Sequence, residues 1–384
     1  MPPVKLPQLD VLRGMCALLV VFYHVLFQHP GHELGLFRNA ALFVDFFFVL
    51  SGFIMFHNYG NMGSWHDFRR FLALRLFRTY PLHVVMLLVF LAYETLQYVL
   101  VQLYHFPTST PPFSDNNGAS LILNLLLLNG VGLIDLTFNT PSWSISTEFW
   151  AYVVFGLCML SLANQRARLI AFFAIAIAAL GFLAAQPDPS LTVHWERFFP
   201  RCLFGFFMGA VLRGVMSVPR TAAASSPSQD LLQLASMLAA VLFVSAASGK
   251  LIWIEILSPF VFTAVIACFV AWPNTRVSRF LNNAPLLWLG KVSYSIYMVH
   301  QFVLLTVEAF MRLVLHAPVQ DELLLVGNTV GSIALIGSIG LVLGVAALTY
   351  RFVEEPARRL GRTWLDSAEP ATPAPREPRR VNVV

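Results

Sequence analysis

The chain has 384 residues, of which 57% are hydrophobic and only 12% charged, with a mean hydropathy of +0.69 and a formal net charge of +5. Soluble domains carry roughly 25% charged residues, so a water-exposed globule, a disordered chain and a collagen-like repeat are excluded, and a polytopic membrane protein remains. The apolar runs, such as 82–91 and 169–185, are continuous rather than alternating, which favours helices over a β-barrel.

Ten helical spans are expected in chain order: 10–29, 39–58, 80–104, 142–162, 168–185, 198–215, 231–248, 251–272, 285–314 and 324–350. The apolar stretch 121–133 is too short to cross comfortably. If it stays on one side and the N-terminus is cytoplasmic, 18 of the 25 basic residues fall inside. If it crossed, Arg69–Arg78 and the Arg166/Arg168 pair would lie on opposite sides. The expectation is therefore an all-α fold of about ten transmembrane helices with both termini cytoplasmic. The stretch 121–133 is then re-entrant or interfacial. Residues 1–362 form the membrane domain, 363–384 a disordered cytoplasmic tail, and 217–230 an inner linker rich in Ser, Ala and Pro. The first apolar run contains Arg13 and lacks a small-residue cleavage site, so no cleavable signal peptide is expected. Four cysteines show no metal-ligand spacing and read as packed apolar side chains. The positive charge reads as topology, with lipids as partner and no nucleic acid.

Charges inside spans are costly and call for a reason. Arg13 and His24 are eleven residues apart, close to three full turns, so they share one helix face about 16 Å apart along the axis. His24 can act as a general base; a snorkelling arginine and a packed histidine explain the spacing equally. Asp45 precedes a Phe-rich run and Ser51-Gly52, which permits close packing or a kink. Arg75 and Arg78 share a face at i, i+3, suited to gripping phosphate or to anionic lipid, with Pro81 marking a boundary before the next span. Glu148, in Pro141-Ser142-Trp143-Ser144-Ile145-Ser146-Thr147-Glu148, is a buried acid or base, or half of an ion pair. Ser293, Tyr297 and His300 form a polar stripe at i, i+4, i+7, fit for a hydrated cavity or for inter-helix hydrogen bonds. Glu308 and Arg312 read as a structural pair.

These segments, taken in order, resemble the acyltransferase family 3 membrane proteins. The resemblance rests on Asp10-Val11-Leu12-Arg13-Gly14 with Tyr23-His24, then Asp45 to Phe53, then Arg75/Arg78 with Pro81. Trp143 to Phe149, Ser293 to His300 and Phe352-Val353-Glu354-Glu355-Pro356 follow, so that it covers about residues 6 to 360. It implies an O-acyltransferase moving an acyl group, most often acetyl, from cytoplasmic acetyl-CoA or another acyl-CoA to a hydroxyl of a surface polysaccharide or lipid-linked glycan. A bacterial inner membrane is the implied location, and a homo-oligomer is compatible with it. The resemblance assigns His24, Glu148 and Arg13 to catalysis and Arg75, Arg78 and Arg13 to the acyl-CoA. With it, Ser144, Asp45, Tyr297 and His300 are expected at the acceptor, with Glu148 orienting His24 and no metal. About 30 polar residues follow the last span, which resembles the form without an added hydrolase-like domain. The competing functions are a transporter or flippase with an intramembrane relay, disfavoured by the missing repeat, and a non-catalytic subunit of a glycan synthesis complex.

Overall fold

A computed structural model describes residues 6–105, 110–187, 194–216, 226–247, 252–320 and 323–367. Helices α1 (Pro7–Tyr23), α2 (Gly35–Arg38), α3 (Phe43–Tyr59), α4 (Trp65–Tyr104), α5 (Gly118–Leu125), α6 (Trp143–Ser161) and α7 (Gln165–Ala184) form the first half. The second holds α8 (Phe198–Val215), α9 (Pro227–Ala246), α10 (Ser258–Ala271), α11 (Arg276–Leu281), α12 (Ala284–Leu313), α13 (Asn328–Thr349) and α14 (Glu355–Ser367). Two-residue strands β1 (Val319–Gln320) and β2 (Leu323–Leu324) pair antiparallel and are the only strands among the described residues.

The chain is thus an all-α polytopic membrane protein. Among the described residues, nine helical segments are long and apolar enough to cross a bilayer, and they coincide with nine of the ten expected spans. The tenth is α1, whose 17 residues span about 25 Å, just short of a hydrocarbon core of roughly 30 Å. α1 packs against α3, α10 and α12.

Glycine decides which helices approach. A side chain at Gly14 would overlap the α12 backbone at Gly290, and one at Gly290 would overlap the backbone of Asp10. Gly52 of α3 meets the Phe206 carbonyl of α8, and Gly209 of α8 meets that of Val49. In lipid the apolar effect does not drive helices together, so backbone contact at small residues supplies the dispersion that does.

Pro81 does not end a helix: α4 runs unbroken through it for 40 residues. Proline removes a backbone donor, and neighbouring hydroxyls serve nearby carbonyls. Thr79 Oγ1 donates to Arg75 O (3.1 Å) and Tyr294 Oη to Thr79 O (2.5 Å). The carbonyl that Pro81 frees is that of Phe77, not one of these two; proline persists in membrane helices where neighbouring groups and local backbone adjustment absorb the lost donor. Arg75 and Arg78 therefore ride on the same helix as the following span.

The short α5 explains the stretch 121–133. Its base is held where Glu94 of α4 accepts from Phe113 N (2.7 Å) and Asn116 Nδ2 (3.0 Å), and where Asn116 Oδ1 accepts from Phe138 N. Its far end meets α4 about three turns earlier: Tyr80 Oη donates to Leu125 O and His83 Nε2 contacts Asn124 O, both at 2.9 Å. The chain returns along α6, where Ser146 Oγ and Trp150 Nε1 donate to Leu127 O. This is a re-entrant hairpin whose irregular backbone is satisfied by protein, the condition for non-helical chain at membrane depth.

At the other end of α12, Leu324 of β2 bonds Leu26 and Gln28, closing a strap over the end of α1. α14 lies along α4, with Gly361 against the Phe77 ring and Arg70 paired to Asp366 at 2.6 Å. It continues to Ser367, past the expected boundary at 362. The rest of the expected tail and most of the expected linker 217–230 lie outside the described residues.

Candidate functional site

The α1–α12 seam builds the site. The glycine contact brings the backbones close enough for each helix's polar face to meet the other's. Near the start of α1, Arg13 Nε donates to Ser293 Oγ (2.8 Å), Nη2 to Gly290 O (2.9 Å), and Nη1 pairs with Asp10 at 3.0 Å. Ten residues on from the Gly14–Gly290 contact along both helices, His300 Nε2 lies 3.2 Å from His24 Nδ1, with ring centroids 4.8 Å apart. The two helices therefore run parallel and in step. His24 Nδ1 is also 3.0 Å from Val20 O. His24 is half-buried and caps α1; His300 is fully buried.

Two cavities flank this seam. The outer one is a mouth formed by the starts of α1 and α12, the end of α3 and residues of α14, with Asp10, Lys291, Glu354 and Arg358 on its wall. The inner one lies among α3, α4, α6 and α12 and is lined by Ser51, Ser144, Glu148, Tyr152, Ser293 and Tyr297. Arg13, Ile54, Arg78 and Tyr294 belong to both walls, so the cavities meet at two arginines. Arg13 is anchored by α12. Arg78 makes no hydrogen bond or ion pair among the described residues, although Glu148, Glu354 and Asp10 are close enough to act on its charge. A half-buried guanidinium with open donors is prepared for an anion or a polarised carbonyl.

The expected site residues divide. Arg13, Arg78, Ser144, Glu148 and Tyr297 all line the inner cavity. Ser144 Oγ donates to Tyr297 Oη (2.9 Å), and the Tyr297 and His300 rings lie 5.7 Å apart, so Tyr297 stands between the cavity wall and the histidine pair, which itself lines neither cavity. Glu148 does not orient His24; its Oε1 accepts from Tyr152 Oη at 2.6 Å, and that hydroxyl meets Ser51 Oγ at 3.1 Å. Arg75 lines neither cavity and donates to Tyr59 Oη (3.2 Å), with its guanidinium over the Tyr59 ring.

Asp45, expected at the acceptor, lies elsewhere. It is fully buried, accepts from Arg201 Nε (2.8 Å) and Nη2 (3.1 Å), and receives Ser258 Oγ at 2.5 Å. Its lone pairs are taken up by α8 and α10, and it lines neither cavity.

Several residues escaped the sequence reading. Arg201, to which the sequence reading gives no role, is 1% exposed; its place inside the apolar run of α8 is the available signal. Glu354 carried a motif but no role; it is buried on a π-helical turn and accepts from Ser295 Oγ at 2.9 Å. Arg168, read only for topology, donates to the carbonyls of Leu162, Gly60, Met62 and Met159. Tyr294 stood in a quoted segment with nothing to mark it as the shared wall of two cavities. Among the described residues, no group of three or more His, Cys, Asp or Glu side chains is placed to hold a metal.

Comparison with known proteins gives the family. A family model for an acyltransferase domain matches residues 6–351. A provisionally named peptidoglycan O-acetyltransferase of Bacillus subtilis is 26% identical over 386 residues, covering 93% of this chain and 55% of that one. An acyltransferase of Streptomyces mycarofaciens is 28% identical over 341 residues, covering 79% and 81%. The peptidoglycan O-acetyltransferase of Listeria monocytogenes is 22% identical over 396 residues, covering 92% and 56%. The chain thus spans about half the length of the two peptidoglycan enzymes it matches. No solved structure matches it significantly.

Proposed function

The chain belongs to the acyltransferase domain family, and from that premise we propose that it transfers an acyl group, acetyl first among them, from cytoplasmic acyl-CoA to a hydroxyl of a surface polysaccharide or lipid-linked glycan. The observation that carries this reading is the meeting of mouth and inner cavity at Arg13 and Arg78. A thioester on a long flexible arm needs an opening on the side where CoA resides, cations along the way and a lined chamber for the reacting carbonyl.

In this reading the mouth faces the cytoplasm, consistent with the basic residues clustered at that end, and the membrane is a bacterial inner membrane. The CoA phosphates rest at the mouth, where Lys291 and Arg358 stand. Arg78 steers the anionic donor inward, and Arg75, held by Tyr59 one turn earlier, adds to the positive potential. The acyl carbonyl reaches the inner cavity. Ser144 and Tyr297 offer hydroxyls to the acceptor, and the Glu148–Tyr152–Ser51 chain supplies a polarised wall.

His24 removes the proton from the acceptor hydroxyl as its oxygen attacks the acyl carbon; the C–S bond breaks, and CoA leaves as its thiol after taking that proton. Arg13 favours the negative charge that builds on the carbonyl oxygen. Two of the similar proteins are named for O-acetylation of peptidoglycan, which supports a glycan acceptor here.

The test is purified protein in nanodiscs with labelled acetyl-CoA and a panel of glycans. The reading expects CoA release and a labelled glycan. A protein that moves a glycan or solute across vesicles without releasing CoA is a transporter, and this reading then fails.

A further inference from the structure

We infer that His300 is a positioning residue of His24: its Nε2 lone pair accepts, beside the Val20 carbonyl, from the Nδ1–H of His24, holding the ring in the orientation in which the His24 Nε2 lone pair is free to take a proton. The inference rests on the acyltransferase reading of His24 and names the group that orients it.

The argument is one of donors and acceptors. His24 Nδ1 faces two atoms, Val20 O at 3.0 Å and His300 Nε2 at 3.2 Å. A carbonyl oxygen only accepts, so Nδ1 must carry the hydrogen. His300 Nε2 then meets an N–H and must present its lone pair. Reversing the assignment would set the Nδ1 lone pair against the Val20 carbonyl, two acceptors at hydrogen-bond distance. Neutral imidazole has one N–H, so with Nδ1 protonated the Nε2 of His24 is its basic atom.

The same geometry acts during proton transfer. When His24 accepts the acceptor's proton at Nε2, the ring becomes an imidazolium and its Nδ1–H becomes a charge-assisted donor, stronger than in the resting state. Val20 O and His300 Nε2 both receive it. The orienting group required by a nucleophile–base arrangement is here a neutral imidazole from the neighbouring helix rather than a carboxylate, since Glu148 is engaged by Tyr152. The ring of His300 is enclosed, with no hydrogen-bond partner for its Nδ1 among the described residues. His300 is fully buried, its ring lies 5.7 Å from that of Tyr297, and Asn139 Nδ2 donates to the Met298 carbonyl nearby at 3.0 Å.

Three variants of the full chain test this. The glutamine amide reaches about as far as imidazole Nε2, whereas asparagine reaches only as far as Nδ1. His300→Gln should therefore keep an acceptor facing His24, and His300→Asn and His300→Phe should not. With labelled acetyl-CoA and a working glycan acceptor, kcat should fall roughly tenfold or more in the Asn and Phe variants. The Gln variant should stay within a few-fold of the wild type, and KM for acetyl-CoA should not change. Equal kcat in all three variants overturns the inference.

A second readout needs no acceptor. Diethyl pyrocarbonate acylates an imidazole lone pair, and peptide mass spectrometry follows His24 alone. The Val20 carbonyl keeps Nδ1 protonated in every variant, so what changes is the hold on the ring: the modification rate of His24 should depart from the wild type in the Asn and Phe variants and match it in the Gln variant. The same rate in all four proteins also overturns the inference. Absence of any acyl transfer by the wild type, with this modification pattern intact, would discard the acyltransferase role of His24 and leave the histidine coupling standing.

Discussion

The Asp45–Arg201 pair separates a structural acid from a substrate-binding one. Asp45 is 0% exposed and Arg201 1%, with two hydrogen bonds between them and a third from Ser258. Replacing Asp45 by Ala leaves a desolvated guanidinium facing an empty space. Breaking a buried pair from one side costs about 3–5 kcal/mol, whereas removing both charges together costs far less or nothing. Asp45→Ala and Arg201→Met should therefore each lower stability by about 3–5 kcal/mol, and the double variant should lose clearly less than the sum of the two. Thermal unfolding in detergent, followed by size-exclusion with fluorescence detection, measures the stability. Acetyl-CoA affinity of the surviving fraction should equal that of the wild type, because Asp45 lines neither cavity. An Asp45→Ala protein as stable as the wild type but unable to transfer acetyl would refute this reasoning and return Asp45 to the acceptor.

Four further outcomes follow. Arg78→Ala should weaken acetyl-CoA binding roughly tenfold or more, the scale of one lost charge-assisted contact, whereas Arg75→Ala should weaken it less; isothermal titration compares the two, and the reverse order would displace Arg78 from the path. Gly290→Val should force α1 and α12 apart, costing about 1–3 kcal/mol or more, and should abolish transfer by separating both Arg13–Ser293 and His24–His300; a fully active variant would show that the seam does not build the site. His24→Ala should remove transfer while the protein still elutes as a folded monodisperse species, and full activity there would end its role as base. Arg168→Ala strips donors from four carbonyls, so stability should fall by at least about 2 kcal/mol with KM for acetyl-CoA unchanged.

Helical periodicity made much of the site legible in advance. Arg13 and His24 were placed on one face of the first helix, and Ser293, Tyr297 and His300 on one face of another. The charge pattern kept 121–133 from crossing, and the contacts of α5 agree. Pro81 is no boundary, because that meaning assumes water; in a membrane helix proline is tolerated where neighbouring groups and local backbone adjustment absorb the lost donor.

The sequence by itself determined the membrane class, the place in the chain of nine of the spans, and which polar side chains share a helix face. Each of these follows from composition or from the 3.6-residue turn, both local properties. Only the tertiary structure decided that the polar face of α1 meets that of α12, that Asp45 belongs to Arg201, and that Glu148 belongs to Tyr152. The physical reason is that lipid and protein interior are equally apolar, so hydropathy states that a face lies in the membrane but not what it touches. That choice falls to close backbone approach at Gly14 with Gly290 and at Gly52 with Gly209. It falls also to the pairing of buried polar groups, and partners 156 residues apart, such as Asp45 and Arg201, leave no periodic trace in the chain.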